Sequence, residues 1–256
     1  MFVLGYDVDF GHMEAISLMM STKYSEKVVG YAAVALMVHP SDAPPDLLET
    51  VVGALKADLG RSDDGSQCLA LAAVANMGGP LLAASLAAPV QRLLVGSSSH
   101  ACVKKKASLC LLRLFRTNPD CVVHGEWADR VSGLLEQRHL GVLTSSMSLL
   151  LGLASRSSGD YEGLVPYVIH NLHTLVVGES AKGVPRCRSD YLYYHTPCPW
   201  LQVKLLKFLQ YVEDPPKNCT KTPRPCACLV AVTSVCTCAC RQGTTPPRRT
   251  RCRPRP

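Results

Sequence analysis

Apolar residues recur at three- and four-residue spacing in ten separate bursts along this chain, each bounded by Gly, Pro or short polar side chains. That period places side chains on one face of an α-helix. It predicts helices over Phe10–Ser21, Ser25–Val38, Pro45–Leu59, Gly65–Met77, Leu81–Val95, Ala101–Arg116, Glu126–Glu136, His139–Ala154, Tyr161–Val177 and Trp200–Tyr211. Ten helices make five pairs, and the expected class is all-α.

Local chemistry supports the boundaries. Ser25 is positioned to cap the amides ahead of Glu26 and Lys27, Pro45 suits a first helical turn, and Asp63 and Asp64 suit the positive end of a helix dipole. Gly78 and Gly79 supply residues able to take positive φ before Pro80, and Thr117-Asn118-Pro119-Asp120 closes the helix ending at Arg116.

The second helices of successive pairs start near Ser25, Gly65, Ala101 and His139, a separation of about 36 to 40 residues. This is the period of HEAT and armadillo repeats. A single helix pair cannot bury its apolar face alone, so an α-solenoid of HEAT/armadillo-like helix pairs is expected, a fold that presents binding surface. The period lapses from Val177 to Pro199, where Gly178, Gly183, Pro185, Pro197 and Pro199 predict a long connection.

Charge changes the picture at the C-terminal end. Residues 215–256 carry nine Lys/Arg, no Asp or Glu, and seven of the thirteen Cys. The preceding 214 residues hold 18 Lys/Arg against 20 Asp/Glu, which leaves −2, so the overall +7 belongs to the tail. The expected organisation is therefore a helical-repeat body over 1–214 and a Cys/Pro/Arg-rich tail over 215–256. Alternating Pro and charge cannot bury enough apolar surface to offset chain entropy, and disorder is expected there. Only the Leu229–Val235 run is apolar enough to form a transient strand.

The start of the chain lacks the basic and apolar regions of a signal peptide, since Gly5, Asp7 and Asp9 follow Met1-Phe2-Val3-Leu4 at once. The apolar stretch Leu140–Ala154 is interrupted by Thr144, Ser145, Ser146 and Ser148 and is too short to span a bilayer. A soluble cytosolic protein is the expectation, with the body cysteines 68, 102, 110, 121, 187 and 198 reduced and acting as small hydrophobes.

No constellation in the body carries catalysis. Asp7, Asp9, His12 and Glu14 are dense enough to suggest metal or acid–base chemistry, but they sit where a helix begins and read as carboxylates near its positive end. Lys104, Lys105 and Lys106 fan around a helix at about 100° each and read as a solvated face, with anionic membrane as the alternative contact. His170 and His173 share a helical face without a third ligand, and read as surface or half-buried. Ser145, Ser146 and Ser148 lack a nucleophile elbow, and no Gly-rich phosphate loop occurs. The expectation is no catalytic residue, no cofactor and no metal. One alternative sits in the tail, where Cys226-Ala227-Cys228, Cys236-Thr237-Cys238-Ala239-Cys240 and Arg248-Arg249-Thr250-Arg251 with Arg253 and Arg255 offer thiolate and phosphate chemistry without zinc-site spacing. The competing reading is that the tail is not a selected domain.

Four stretches carry a family resemblance. They are Leu4-Gly5-Tyr6-Asp7-Val8-Asp9-Phe10-Gly11-His12-Met13-Glu14-Ala15, Cys110-Leu111-Leu112-Arg113-Leu114-Phe115-Arg116-Thr117-Asn118-Pro119-Asp120, His139-Leu140-Gly141-Val142 and Pro199-Trp200-Leu201-Gln202-Val203-Lys204-Leu205-Leu206. Over about residues 2 to 212 the chain resembles the trunk of the large adaptins, and the Phe-Gly-His-Met-Glu-Ala and Pro-Trp-Leu-x-Val-Lys-Leu-Leu forms favour the alpha-adaptin type. The resemblance implies a non-enzymatic α-solenoid of a vesicle coat that links cargo and plasma-membrane phosphoinositides to clathrin in endocytosis. The other adaptor-complex subunits are its implied partners, chiefly the small sigma subunit, held on the concave side of the repeats. Its implied place is cytoplasmic, peripheral to the plasma membrane at clathrin-coated pits. No nucleic acid is expected as a partner.

Departures from the family are also expected. The family's basic N-terminal lipid-binding segment, the clathrin-binding hinge and the accessory-protein ear have no counterpart, and residues 215–256 resemble no part of it. A body truncated in this way leaves solenoid faces open, so dependence on a partner is anticipated. Alternatives to the adaptor reading are a generic helical-repeat scaffold or interfering fragment, and a metal- or nucleic-acid-binding protein acting through the tail.

Overall fold

The computed structural model describes residues 10–40, 43–97, 99–177, 187, 189–194 and 196–213. Ten α-helices follow in chain order: α1 His12–Met20, α2 Tyr24–Met37, α3 Pro45–Leu59, α4 Asp64–Met77, α5 Pro80–Val95, α6 Ala101–Thr117, α7 His124–Leu135, α8 Leu140–Ala154, α9 Val165–Val177 and α10 Pro199–Glu213. The protein is an all-α helical-repeat chain, as the periodicity predicts. The chain divides into two compact units, Met1–Leu164 and Val165–Pro256.

In the first unit the even-numbered helices form one layer. Helix α2 packs on α4, α4 on α6 and α6 on α8, while the odd-numbered helices contact one another less and lean on this layer through α1–α2, α3–α4, α5–α6 and α7–α8. The apolar stripe of each helix explains the arrangement. Val103, Ala107, Cys110, Leu111, Leu114 and Phe115 of α6 are all buried, as are Leu82, Leu86, Val90 and Leu94 of α5. Helix α8 lies deepest, with every residue from Leu140 to Ala154 buried or half-buried. Three of its four hydroxyls are accommodated by bonding back into the helix: Thr144 donates to the Leu140 carbonyl, Ser145 to Val142 and Ser148 to Thr144.

Close approach between α1 and α2 depends on one residue without a side chain. A Cβ placed on Gly30 would lie 2.2 Å from the Met19 backbone nitrogen, well inside contact distance. The break between α4 and α5 is likewise carried by glycine, since Gly78 and Gly79 adopt φ of +62° and +101°. Pro45 and Pro80 open α3 and α5, positions where a missing N–H costs nothing. Pro89 lies inside α5, which continues through it to Val95.

Several boundaries differ from those expected, for local reasons. Helix α2 begins at Tyr24, so Ser25 lies inside it and is not its cap. Instead Ser21 accepts from the Lys23 amide at 3.2 Å and donates to Glu26 Oε2 at 2.7 Å, tying the loop to the first turn. Asp63, expected at the positive end of the helix dipole, is the cap of α4, accepting from the Gly65 and Ser66 amides. Two imidazoles act as caps: His139 Nδ1 accepts from the Gly141 and Val142 amides, and the His100 side chain from that of Cys102. The helix expected from Tyr161 is a 3-10 turn over Gly159–Leu164, and α9 begins only at Val165, one residue before Pro166.

In the second unit α9 packs on α10. The long connection expected between Val177 and Pro199 contains, in its described part, a 3-10 turn over Ser189–Tyr191 and a two-stranded antiparallel hairpin, β1 Leu192–Tyr193 with β2 Thr196–Pro197. Tyr194 and Cys198 both sit at positive φ, 44° and 45°, and turn the chain into α10. No helix of the described residues is long and apolar enough to cross a membrane. The tail expected to be disordered lies outside the described residues.

Candidate partner-binding surface

Beginning with the charges, the most deeply buried ion pair in the first unit is a structural one. Lys27, on the buried stripe of α2, donates to Asp58 of α3 and to the Met19 carbonyl of α1. Asp58 also accepts from the Tyr31 hydroxyl at 2.6 Å and lies 3.3 Å from Arg61 Nε. Desolvation, followed by the hydrogen bond to Asp58, pushes the Tyr31 phenol far above its ordinary range. Both oxygens of the carboxylate face donors on the protein, and the cluster is buried, so it reads as structural. It joins three helices.

Of the candidate acidic cluster at the start of the chain, His12 and Glu14 fall within the described residues. His12 is the first residue of α1 and Glu14 lies exposed in its first turn, the placement a helix dipole favours. Asp7 and Asp9 lie outside the described residues. The lysine triplet fans as expected, but not all of it is solvated: Lys104 is only 8% exposed, Lys105 half-buried and Lys106 exposed. The reason is geometric, since Lys104 falls on the α6 stripe between Val103 and Ala107 that packs on neighbouring helices. His170 and His173 are both exposed on α9. Among the described residues no group of three or more His, Cys, Asp or Glu is placed to hold a metal ion.

The serines of α8 are equally remote from nucleophilic chemistry. Ser145 and Ser146 are buried, and the Ser146 hydroxyl is the one fully buried side-chain polar atom without a hydrogen-bond partner among the described residues. The cysteines divide. Cys110 is buried and burial alone pushes its thiol up to about 12; Cys68 and Cys121 are half-buried with thiols raised chiefly by desolvation. Cys102 departs from the expected core role, because it faces outward one position before Val103 and is exposed.

What the fold does present is surface. On the even-numbered layer, α6 exposes Cys102, Lys106, Leu109, Arg113 and Arg116, spaced so that they run along one side of the helix. On α1 and α2 the large apolar residues Met13, Met20, Val29 and Leu36 are exposed. In the second unit Tyr193, Tyr194 and Trp200 form an exposed aromatic group, with Tyr193 5.7 Å from the Trp200 ring and 4.7 Å from that of Tyr194. A groove of about 430 Å³ between α5 and α7 is lined by Ala88, Gln91, Arg92, Val95, Gly96 and Arg130. Such open, mixed apolar and cationic surfaces suit protein partners more than small substrates.

Comparison with known proteins agrees with this geometry. The adaptin N terminal region family matches residues 1–231, a span that runs past residue 214, where the change in composition set the expected end of the body. Over 216 residues, 83% of this chain, it is 46% identical to AP-2 complex subunit alpha-1 of Arabidopsis thaliana, and over 215 residues, 84% of the chain, 42% identical to AP-2 complex subunit alpha-2 of Dictyostelium discoideum. It covers 20% and 21% of those two proteins, so the chain spans about a fifth of the relatives it matches. A chain in a homology model of the full-length AP-3 complex in an intermediate open conformation superposes with a TM-score of 0.59 at 20% identity, covering 83% of this chain and 32% of that one. With the layered helix pairs, the glycine and proline punctuation and these matches in place, the chain belongs to the adaptin family, and within it is similar to alpha subunits of AP-2 complexes.

Proposed function

We propose that this chain is a non-enzymatic trunk segment of an endocytic clathrin adaptor, working by assembly with other adaptor subunits in vesicle-mediated protein transport. The observation that carries the reading is the 46% identity to an AP-2 alpha subunit across 83% of the chain. The fold gives it a mechanism. Stacked helix pairs hold a wide surface rigid, and many modest contacts spread over such a surface give specificity without a pocket.

The partner in this reading is the small sigma subunit, and its seat is the exposed side of the even-numbered layer. In this reading the more closely packed even-numbered layer is taken as the concave side of the repeats. Lys106, Leu109, Arg113 and Arg116 of α6 offer a central apolar contact flanked by cations. The place of work is the cytoplasmic face of the plasma membrane at coated pits. Phosphoinositide contact is secondary, because only Lys106 of the lysine triplet is exposed. The helical-repeat body is assigned to 1–214, with the tail a separate segment.

The test is co-purification of the full chain with an endocytic sigma subunit, alongside the double variant Lys106→Glu/Arg113→Glu. Capture by the parent chain and its loss in the variant, at unchanged helical circular dichroism, support both reading and face. Capture that survives the charge reversal moves the contact elsewhere, and no capture by either chain leaves a generic helical scaffold.

A further inference from the structure

The second unit holds two cysteines whose spacing in sequence matches no metal or redox motif, yet the fold brings them together. Cys187 Sγ and Cys198 Sγ lie 3.9 Å apart, with the residues 9% and 4% exposed. Cys198 occupies a left-handed corner, φ 45°, at the junction of β2 and α10. Its amide donates to the Tyr191 carbonyl at 2.8 Å, and its own carbonyl accepts from Leu201 and Gln202 in the first turn of α10. One sulfur of the pair is therefore anchored in a hydrogen-bonded corner, with the other beside it.

We propose that Cys187 and Cys198 are a thiol pair that closes to a reversible disulfide and clips the β1–β2 hairpin to the start of α10. Bond formation asks the sulfurs to approach by ~2 Å, within reach of side-chain rotation and small backbone adjustment. The co-reactant is a low-molecular-weight disulfide. The thiolate of Cys187, the more exposed of the two, attacks one sulfur of that disulfide, forming a mixed disulfide and releasing one small thiol. Cys198 then gives up its proton, and its thiolate attacks Cys187 Sγ and expels the second small thiol. Two protein thiols are oxidised and one small disulfide is reduced to two thiols.

Burial sets the rate and the selectivity. Desolvation, with the neighbouring Cys187 second, raises the Cys198 thiol to about 12. Cys198 is consequently a poor first attacker, and the intramolecular step depends on proximity. A pair of this kind stays reduced under reducing conditions and responds to a sustained oxidising shift. The clip would hold Tyr193 and Tyr194 on a closed loop, which changes how the exposed aromatic group is presented.

The experiment treats the full-length protein with oxidised glutathione, alkylates free thiols and cleaves after lysine. Residues 183–204 then form one peptide, bounded by Lys182 and Lys204, that contains both Cys187 and Cys198 and no other cysteine. The expected result is that this peptide loses two hydrogens, takes no alkyl group, and regains both thiols with dithiothreitol, while Cys102 carries a simple glutathione adduct. In Cys198→Ser the reaction should stop at a glutathione adduct on Cys187. Chymotryptic cleavage after Tyr193 or Tyr194 should slow by roughly tenfold or more in the oxidised protein. Two alkylated thiols in the peptide after Cys102 has reacted, or an adduct on Cys187 that never closes in the parent protein, would overturn the pair. A closed disulfide with unchanged cleavage would overturn the clip.

Discussion

Lys27 Nζ lies 2.5 Å from Asp58 Oδ2, joining α2 to α3 with both side chains at or below 5% exposure. Each charge has further partners: Lys27 reaches the Met19 carbonyl at 3.0 Å, and Asp58 takes the Tyr31 hydroxyl and faces Arg61. The pair is thus satisfied from three helices, a condition under which buried charge is tolerable. Its removal is informative because the two halves are unequal in what they leave behind.

Lys27→Ala leaves the buried Asp58 carboxylate with only the largely exposed Arg61 as counter-charge and should cost up to about 3–5 kcal/mol. Replacing both members with apolar residues, Lys27→Met/Asp58→Leu, should cost less than the single change, because no uncompensated charge remains. Urea unfolding of the two variants decides it. A double variant less stable than Lys27→Ala would mean that the network does more than cancel charge.

Gly30 is the second lever on the same contact. A methyl group there meets the backbone of Leu18 and Met19, which cannot move aside as a side chain would. Gly30→Ala gains helix propensity, about 1 kcal/mol, yet should lower stability because α1 must separate from α2. Thermal melting should show a net loss, and a stabilised variant would contradict the close approach. Gly53, with nothing near its Cβ direction, is the matched control, and Gly53→Ala should be neutral or stabilising.

Alkaline pH supplies a third test. Tyr31, Tyr161 and Cys110 all hold their protons more tightly when folded, chiefly through burial, with Tyr161 and Cys110 each raised to about 12. The unfolded chain releases these protons first, so their contribution is complete below the unfolded values, near 9 for Cys and 10 for Tyr, and is lost as pH climbs toward the folded ones. Stability should be flat near neutrality and fall above about pH 9. Tyr31→Phe should make that fall shallower. A fall of equal steepness in the variant would remove Tyr31 from the account.

Much of this was legible in sequence because helix pairs are local objects. Asp63 capping α4, Pro45 opening α3 and Gly78-Gly79 ending α4 each act within a few residues of their own position. The buried ion pair links residues 31 positions apart and was not anticipated, although a signal existed. Lys27 is in register with Tyr31 and Val34 on the buried stripe of α2, and Asp58 with Val51 and Leu55 on that of α3. Two charges on the inner faces of neighbouring helices should prompt a search for each other. Lys104 was read as solvated for a related reason: consecutive lysines suggest a polar face, while the 100° turn between them puts one on the core stripe.

The hairpin before α10 lay beyond pattern reading altogether. Strands of two residues give no alternation to detect, and their pairing rests on turns at Tyr194 and Cys198 that non-glycine residues rarely make. The proximity of Cys187 and Cys198 follows from that turn and was invisible for the same cause. The surface reading was coarser still. A resemblance to adaptins names a partner, but which side chains face outward on α6 depends on how α4 and α8 cover it.

The central claim, that this chain assembles as an adaptor trunk, is tested most directly by co-expressing the full chain with and without an endocytic sigma subunit and following both by size-exclusion chromatography. The account predicts a soluble one-to-one complex that co-elutes, with less soluble chain recovered when sigma is omitted. A chain that elutes alone with sigma present, or aggregates equally in both cases, would contradict it.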